Sequence, residues 1–132
     1  MNSRKNPSPK KRPVNLDLSS MQFPLPSLVS ISHRVTGIIL FVGLIFLLWA
    51  FDTSLSSPHG FEAVQDVLSG NALAKLVCWG LLSALGYHLV AGVRHLLMDA
   101  GYGETLEGGK RGAQIAVVCG AVIVILAGVW VW

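Results

Sequence analysis

The sequence predicts an all-α membrane protein with three transmembrane helices and a short amphipathic interfacial helix. Hydrophobic residue types make up 52% of its 132 residues, while Asp, Glu, Lys and Arg make up only 13%. Soluble domains carry roughly 25% charge to solvate their surface. The apolar residues are also concentrated: stretches free of those four charged types run from Val35 to Phe51, Leu76 to Val93 and Gly112 to Trp132. At about 1.5 Å per helical residue, each approaches or exceeds the roughly 30 Å hydrocarbon thickness once a few flanking residues are included. The length allows one domain at most. A soluble catalyst, a nucleic-acid binder and a disordered tail are excluded on these grounds.

Residues 1–29 are expected to form an extended or loosely ordered tail, because Pro7, Pro9, Pro13, Pro24 and Pro26 block helix until the last is passed. A three-span membrane domain is expected over 30–132. Its first span covers about 30–51, capped by Ser27 or Ser30 and ending with Trp49 and Phe51 at the outer interface. Ser57-Pro58 opens a helix over about 57–69, where Phe61, Val64, Val67 and Leu68 recur at helical spacing against Glu62, Gln65 and Asp66. That pattern suits a helix lying on the membrane surface. Gly70-Asn71 ends it. The second span covers about 72–98, and Gly101, Gly103, Gly108 and Gly109 make a flexible loop before the third, about 112–131.

The placement of charge predicts orientation. Arg4, Lys5, Lys10, Lys11, Arg12 and Arg34 precede the first span, and Arg94, Lys110 and Arg111 lie between the second and third. Only Lys75 lies between the first and second, among Asp52, Glu62 and Asp66. By the positive-inside rule the N-terminus and second loop face the cytoplasm and Trp132 faces the periplasmic side. The basic tail reads as an anchor near anionic lipid. It lacks the aromatic interleaving of a nucleic-acid binder and the short apolar core of a secretory signal. Its acid-free run up to Asp17 leaves a mitochondrial presequence as a lesser reading. Cys78 and Cys119 form no CxxC pair and read as small apolar packing residues.

Ionisable residues near membrane depth are functional candidates. Here they are His33, Arg34, His88, Arg94 and His95. His88 is the deepest, with no other histidine expected at comparable depth. Ala84 and Gly92 lie at i−4 and i+4 on its face, Gly86 thins an adjoining face, and His95 returns to nearly the same face about 10 Å further on. The antiparallel topology brings His33 and Arg34 to the membrane level of Arg94 and His95. Two readings stand at this point. A haem could lie along the small-residue groove with iron on His88, or His88 could bond another helix while its small neighbours serve packing.

Two runs carry a family resemblance. The stretch from Arg12-Pro13-Val14 through Leu18 and Leu25 to Ser30-Ile31-Ser32-His33-Arg34-Val35-Thr36-Gly37, and the stretch from His88-Leu89-Val90-Ala91-Gly92-Val93-Arg94-His95 to Asp99-Ala100-Gly101, resemble the two signatures of the cytochrome b membrane-anchor subunit of succinate dehydrogenase. Thr53-Ser54-Leu55-Ser56-Ser57-Pro58 is similar to the enterobacterial type. The resemblance covers the chain from Arg12 onward. It implies a subunit of respiratory complex II in a bacterial inner membrane, serving electron transport and the tricarboxylic acid cycle, and not catalytic in isolation.

The resemblance further implies that a second small anchor subunit completes the helical bundle and supplies the other axial ligand of a shared haem b, with His88 as this chain's ligand. It implies an iron–sulfur subunit and a flavoprotein, carrying iron–sulfur clusters and FAD, on the cytoplasmic face. The family's quinone-site serine and arginine fall on Ser30 and Arg34, while His33 and His95 correspond to residues near the haem propionates, with Arg34 and Arg94 as the basic rim. Physically, ubiquinone reduction takes two electrons and two protons, so donors must stabilise the quinone oxygens as charge develops. A hydroxyl and a guanidinium four residues apart on one helical face meet that need. Ser27, one turn earlier, is the alternative hydroxyl. Asp99 reads as a solvated group, a docking contact or part of a proton route. The rival readings are an anchor of a fumarate reductase or menaquinone-linked relative, a structural anchor without quinone contact, and a small transporter, against which the uncharged span interiors argue.

Overall fold

The computed structural model describes residues 21–132. The cations from Arg4 to Arg12 and the first part of the resemblance, Arg12 to Leu18, lie outside the described residues. Four helices follow in order: α1 (Leu25–Ser56), α2 (Pro58–Gly70), α3 (Ala72–Asp99) and α4 (Leu106–Val131). No strand occurs among the described residues. α1, α3 and α4 are each long and apolar enough to cross a membrane.

α1 begins before the last proline, five residues earlier than the sequence reading. Pro24 is its cap, Pro26 sits in the first turn, and neither Ser27 nor Ser30 caps with its side chain. Proline is tolerated there because the first N–H groups of a helix have no intrahelical partner to lose. The Ser27 and Leu28 N–H groups instead donate to the Pro24 carbonyl at 2.9 and 3.2 Å.

The junctions are short and each is built by a side-chain cap. Ser57 accepts from Gly60 N at 3.0 Å with Pro58 in the first turn, starting α2. Asn71 closes α2 through its backbone N–H to Val67 O, and opens α3 by accepting from Leu73 N and Ala74 N at 2.9 and 3.2 Å. At the other end of α3, the Gly101 N–H reaches Met98 O and the Tyr102 N–H reaches Leu97 O, both at 2.9 Å. Gly101 adopts φ 87°, which makes this a Schellman cap that an L side chain would strain. Thr105 then caps α4 by accepting from Gly108 N at 3.0 Å, with Glu107 in the first turn favourable to the helix dipole. Gly108 and Gly109 are therefore helical, and α4 starts six residues before the expected span.

α3 and α4 pack through a ladder of three glycines. Gly112, Gly120 and Gly128 recur every eight residues on α4, and each receives one large side chain of α3: Arg94, Tyr87 and Trp79. A methyl group at these glycines would come within 3.4, 2.6 and 3.3 Å of those side chains. Trp79 Nε1 also donates to Val124 O at 2.9 Å, tying the two helices at their far end. Small residues serve membrane helices this way because lipid offers no hydrophobic drive, leaving close packing to hold helices together. Near the start of α1, Val29, Ala91, Ala113 and Ala116 form the buried contact among all three long helices. Elsewhere their apolar faces are exposed, as at Ile38, Phe41, Leu89 and Leu96. Such faces suit lipid or another membrane helix.

Candidate functional site

Where α1 crosses α3, three histidines come together. The His33 ring stacks on the His88 ring with centroids 4.0 Å apart and planes inclined by 14°. His95 lies tilted against His33 at 5.3 Å and 54°. His33 therefore shares the level of His88, contrary to the expectation that no other histidine would. The early start of α1 is the reason. It places His33 more than two turns inside the helix, about 12 Å from Leu25, instead of in a first turn at the rim.

His88 is held by its Nδ1. That nitrogen lies 3.0 Å from the His33 carbonyl oxygen and 3.1 Å from Thr36 Oγ1. A carbonyl oxygen only accepts, so Nδ1 carries the proton, and Nε2 keeps its lone pair for another partner. Gly37 makes the approach possible, since a Cβ there would stand 3.1 Å from His88 Cε1. Thr36 and the His33 backbone were not singled out from the sequence as site groups. The available signal was a hydroxyl three residues after His33, within the same signature run.

The small residues around His88 do not leave the expected groove. Gly92 lies under the His33 ring, with its missing Cβ only 3.3 Å from His33 Nε2, Gly86 receives the Ile123 side chain, and Ala84 is buried. Gly92 and Gly86 seat this chain's own side chains, so a flat group cannot also run along them.

Nor does Arg94 join the histidines. Six residues beyond His88, it is turned by about 120° around the helix toward α4. It is only 8% exposed, donates from one terminal nitrogen to Gly109 O at 3.2 Å, and leans on Gly112. Among the described residues its Nε finds no hydrogen-bond partner. Arg34 has the opposite setting and is exposed, with Ser27 and Ser30 half-buried on the preceding turns of α1. Asp99 is exposed at the last residue of α3.

Among the described residues, no three His, Cys, Asp or Glu side chains converge to hold a metal ion. Stacked imidazoles point their nitrogens side by side, which suits no chelate. An iron already held by a macrocycle asks less: one axial nitrogen with its proton on the far side of the ring, which is the state of His88. The donor set therefore fits one axial haem ligand from this chain.

Residues 8–128 match the family model described as succinate dehydrogenase/fumarate reductase transmembrane subunit. The chain is 38% identical over 122 residues to the succinate dehydrogenase cytochrome b556 subunit of Coxiella burnetii, covering 92% of this chain and 98% of that protein. It is 36% identical over 112 residues to the protein of that name from Paracoccus denitrificans, covering 85% of each. To the mitochondrial succinate dehydrogenase cytochrome b560 subunit of Bos taurus it is 36% identical over 97 residues, 73% of this chain and 57% of that one.

Proposed function

Because this chain belongs to the succinate dehydrogenase/fumarate reductase transmembrane subunit family, as a cytochrome b anchor subunit of complex II, we propose that it co-ligates haem b through His88 and helps form the ubiquinone-reduction site. On the same reading it tethers the iron–sulfur subunit and flavoprotein to the cytoplasmic face of a bacterial inner membrane. The observation that carries the haem assignment is the hydrogen bonding of His88: with Nδ1–H held by oxygen on α1, Nε2 is free to bind iron. A bound haem supplies a one-electron store at this depth.

His33 cannot be the second axial ligand of the same iron. The His33 ring lies face to face with the His88 ring and presents no nitrogen toward it, so a haem held by His88 would need its other histidine from elsewhere. The second ligand is therefore assigned to the partner anchor subunit, which also covers the exposed apolar faces. His33, which stacks on His88, and His95, which tilts against His33, are assigned to the propionates together with the exposed Arg34, whereas the Arg94 guanidinium is turned to α4.

For the quinone, Ser30 and Arg34 share one face of α1 toward its polar end, and Arg34 reaches outward from the chain. A hydroxyl donor and a permanent cation there stabilise the two oxygens of the head group as it takes up charge, while protons arrive from cytoplasmic water. The N-terminus and the α3–α4 loop face the cytoplasm, and Trp132 the periplasm. Two variants of the assembled complex test the reading. His88→Leu is expected to abolish or perturb the b-type haem absorption band, and an unchanged spectrum would move the ligand elsewhere. Ser30→Ala is expected to lower succinate–quinone reductase activity with the complex intact. Wild-type activity in both Ser30→Ala and Arg34→Leu would remove quinone binding from this chain.

A further inference from the structure

The oxygen atoms around His88 Nδ1 have distinct roles. Thr36 Oγ1 is 2.9 Å from both the Ser32 and the His33 carbonyl oxygens, so its hydroxyl proton is committed to the backbone of its own helix. Its lone pairs remain available. The His33 carbonyl, 3.0 Å from Nδ1, requires a proton on that nitrogen, and Thr36 Oγ1 at 3.1 Å is then a second acceptor of the same proton. The side chain is well placed to stay there: it is β-branched, its rotamer is set by the backbone bond, and Gly37 beside it keeps the contact close.

We infer that Thr36 is a positioning residue for the axial imidazole. With the tautomer fixed by the His33 carbonyl, Thr36 Oγ1 accepts from the same Nδ1–H, helps hold the ring in its orientation and makes Nε2 a stronger electron donor. Removing partners of this kind typically changes metal affinity by about 10–100-fold. A stronger donor favours ferric over ferrous iron, so loss of the Thr36 oxygen raises the haem midpoint potential. The inference rests on His88 being an axial ligand.

The test uses the whole membrane complex with three variants. Thr36→Val keeps the shape and removes the oxygen, Thr36→Ser keeps the oxygen and removes the methyl, and His88→Leu tests the ligand itself. Redox titration of the haem absorption band and low-temperature electron paramagnetic resonance of the ferric haem are read in each. The expected result is an upward shift in midpoint potential with altered ferric g values in Thr36→Val, and values close to wild type in Thr36→Ser. Loss of haem in Thr36→Val with retention in Thr36→Ser supports the same role. Wild-type potential and g values in Thr36→Val overturn it, as does equal perturbation by both Thr36 variants, which would assign the effect to packing. If His88→Leu removes the haem signal while Thr36→Val changes nothing, the ligand stands and the Thr36 role fails. An unchanged spectrum in His88→Leu removes both.

Discussion

Arg34 on α1 and Arg94 on α3 both lie toward the polar end of the spans, and their surroundings assign them different work. Arg34 is exposed on α1 above the Ser30 face, free to meet a ligand or a partner. A hydrogen bond to a charged group contributes about 1.5–3 kcal/mol, so Arg34→Leu is expected to reduce succinate–quinone reductase activity by roughly 10–100-fold. The haem should be retained, since the proposed ligand His88 is held by the His33 carbonyl and Thr36 and not by Arg34. Arg94 is buried against α4 and its stem fills the space over Gly112. Arg94→Ala leaves that space empty and is expected to cost on the order of 2–3 kcal/mol, the scale of a large-to-small change in a packed interior. Thermal unfolding of the purified complex should show the larger loss in Arg94→Ala than in Arg34→Ala. The reverse order would mean that Arg94 is not packed as described.

At the scale of elements, the α3–α4 pair depends on close packing at three glycines of α4, of which Gly120 is the tightest. A side chain there must displace the Tyr87 ring, which is itself packed against the buried Val29 cluster. Gly120→Val is expected to destabilise the complex by about 1–3 kcal/mol, the range for overpacking. The neighbouring Cys119 is exposed, so Cys119→Val should change stability by less than about 0.5 kcal/mol. Asn71 is the other critical joint, the single residue between α2 and α3, ending one and starting the next. Asn71→Ala loses the acceptor for two orphan N–H groups and should cost about 1 kcal/mol, measured by the same unfolding experiment.

For the molecule as a whole, charge distribution sets the expected orientation. With Cys78 and Cys119 replaced by alanine, a cysteine at Lys110 should react with a membrane-impermeant thiol reagent only from the cytoplasmic side, and one at Trp132 only from the periplasmic side. Labelling of both from one side would contradict a three-span topology. The number and approximate place of the apolar helices, and the family, were legible in the sequence because they rest on local properties. Composition decides whether a segment can enter lipid, and in lipid a helix satisfies its backbone from within. Boundaries were less legible: Pro26 reads as a barrier, yet the first turn of a helix has no hydrogen bond for proline to break. That five-residue difference moves His33 by about 7.5 Å along α1. The sequence alone thus determined three membrane helices, with histidines near one end of two of them. Only the tertiary structure decided that His33 stacks on His88, that Gly92 seats His33 instead of opening a slot, that Thr36 reaches Nδ1, and that Arg94 turns to α4. Those pairings depend on where each helix starts and how it is rotated against its neighbour, and at about 100° per residue a shift of one position changes which side chains face each other.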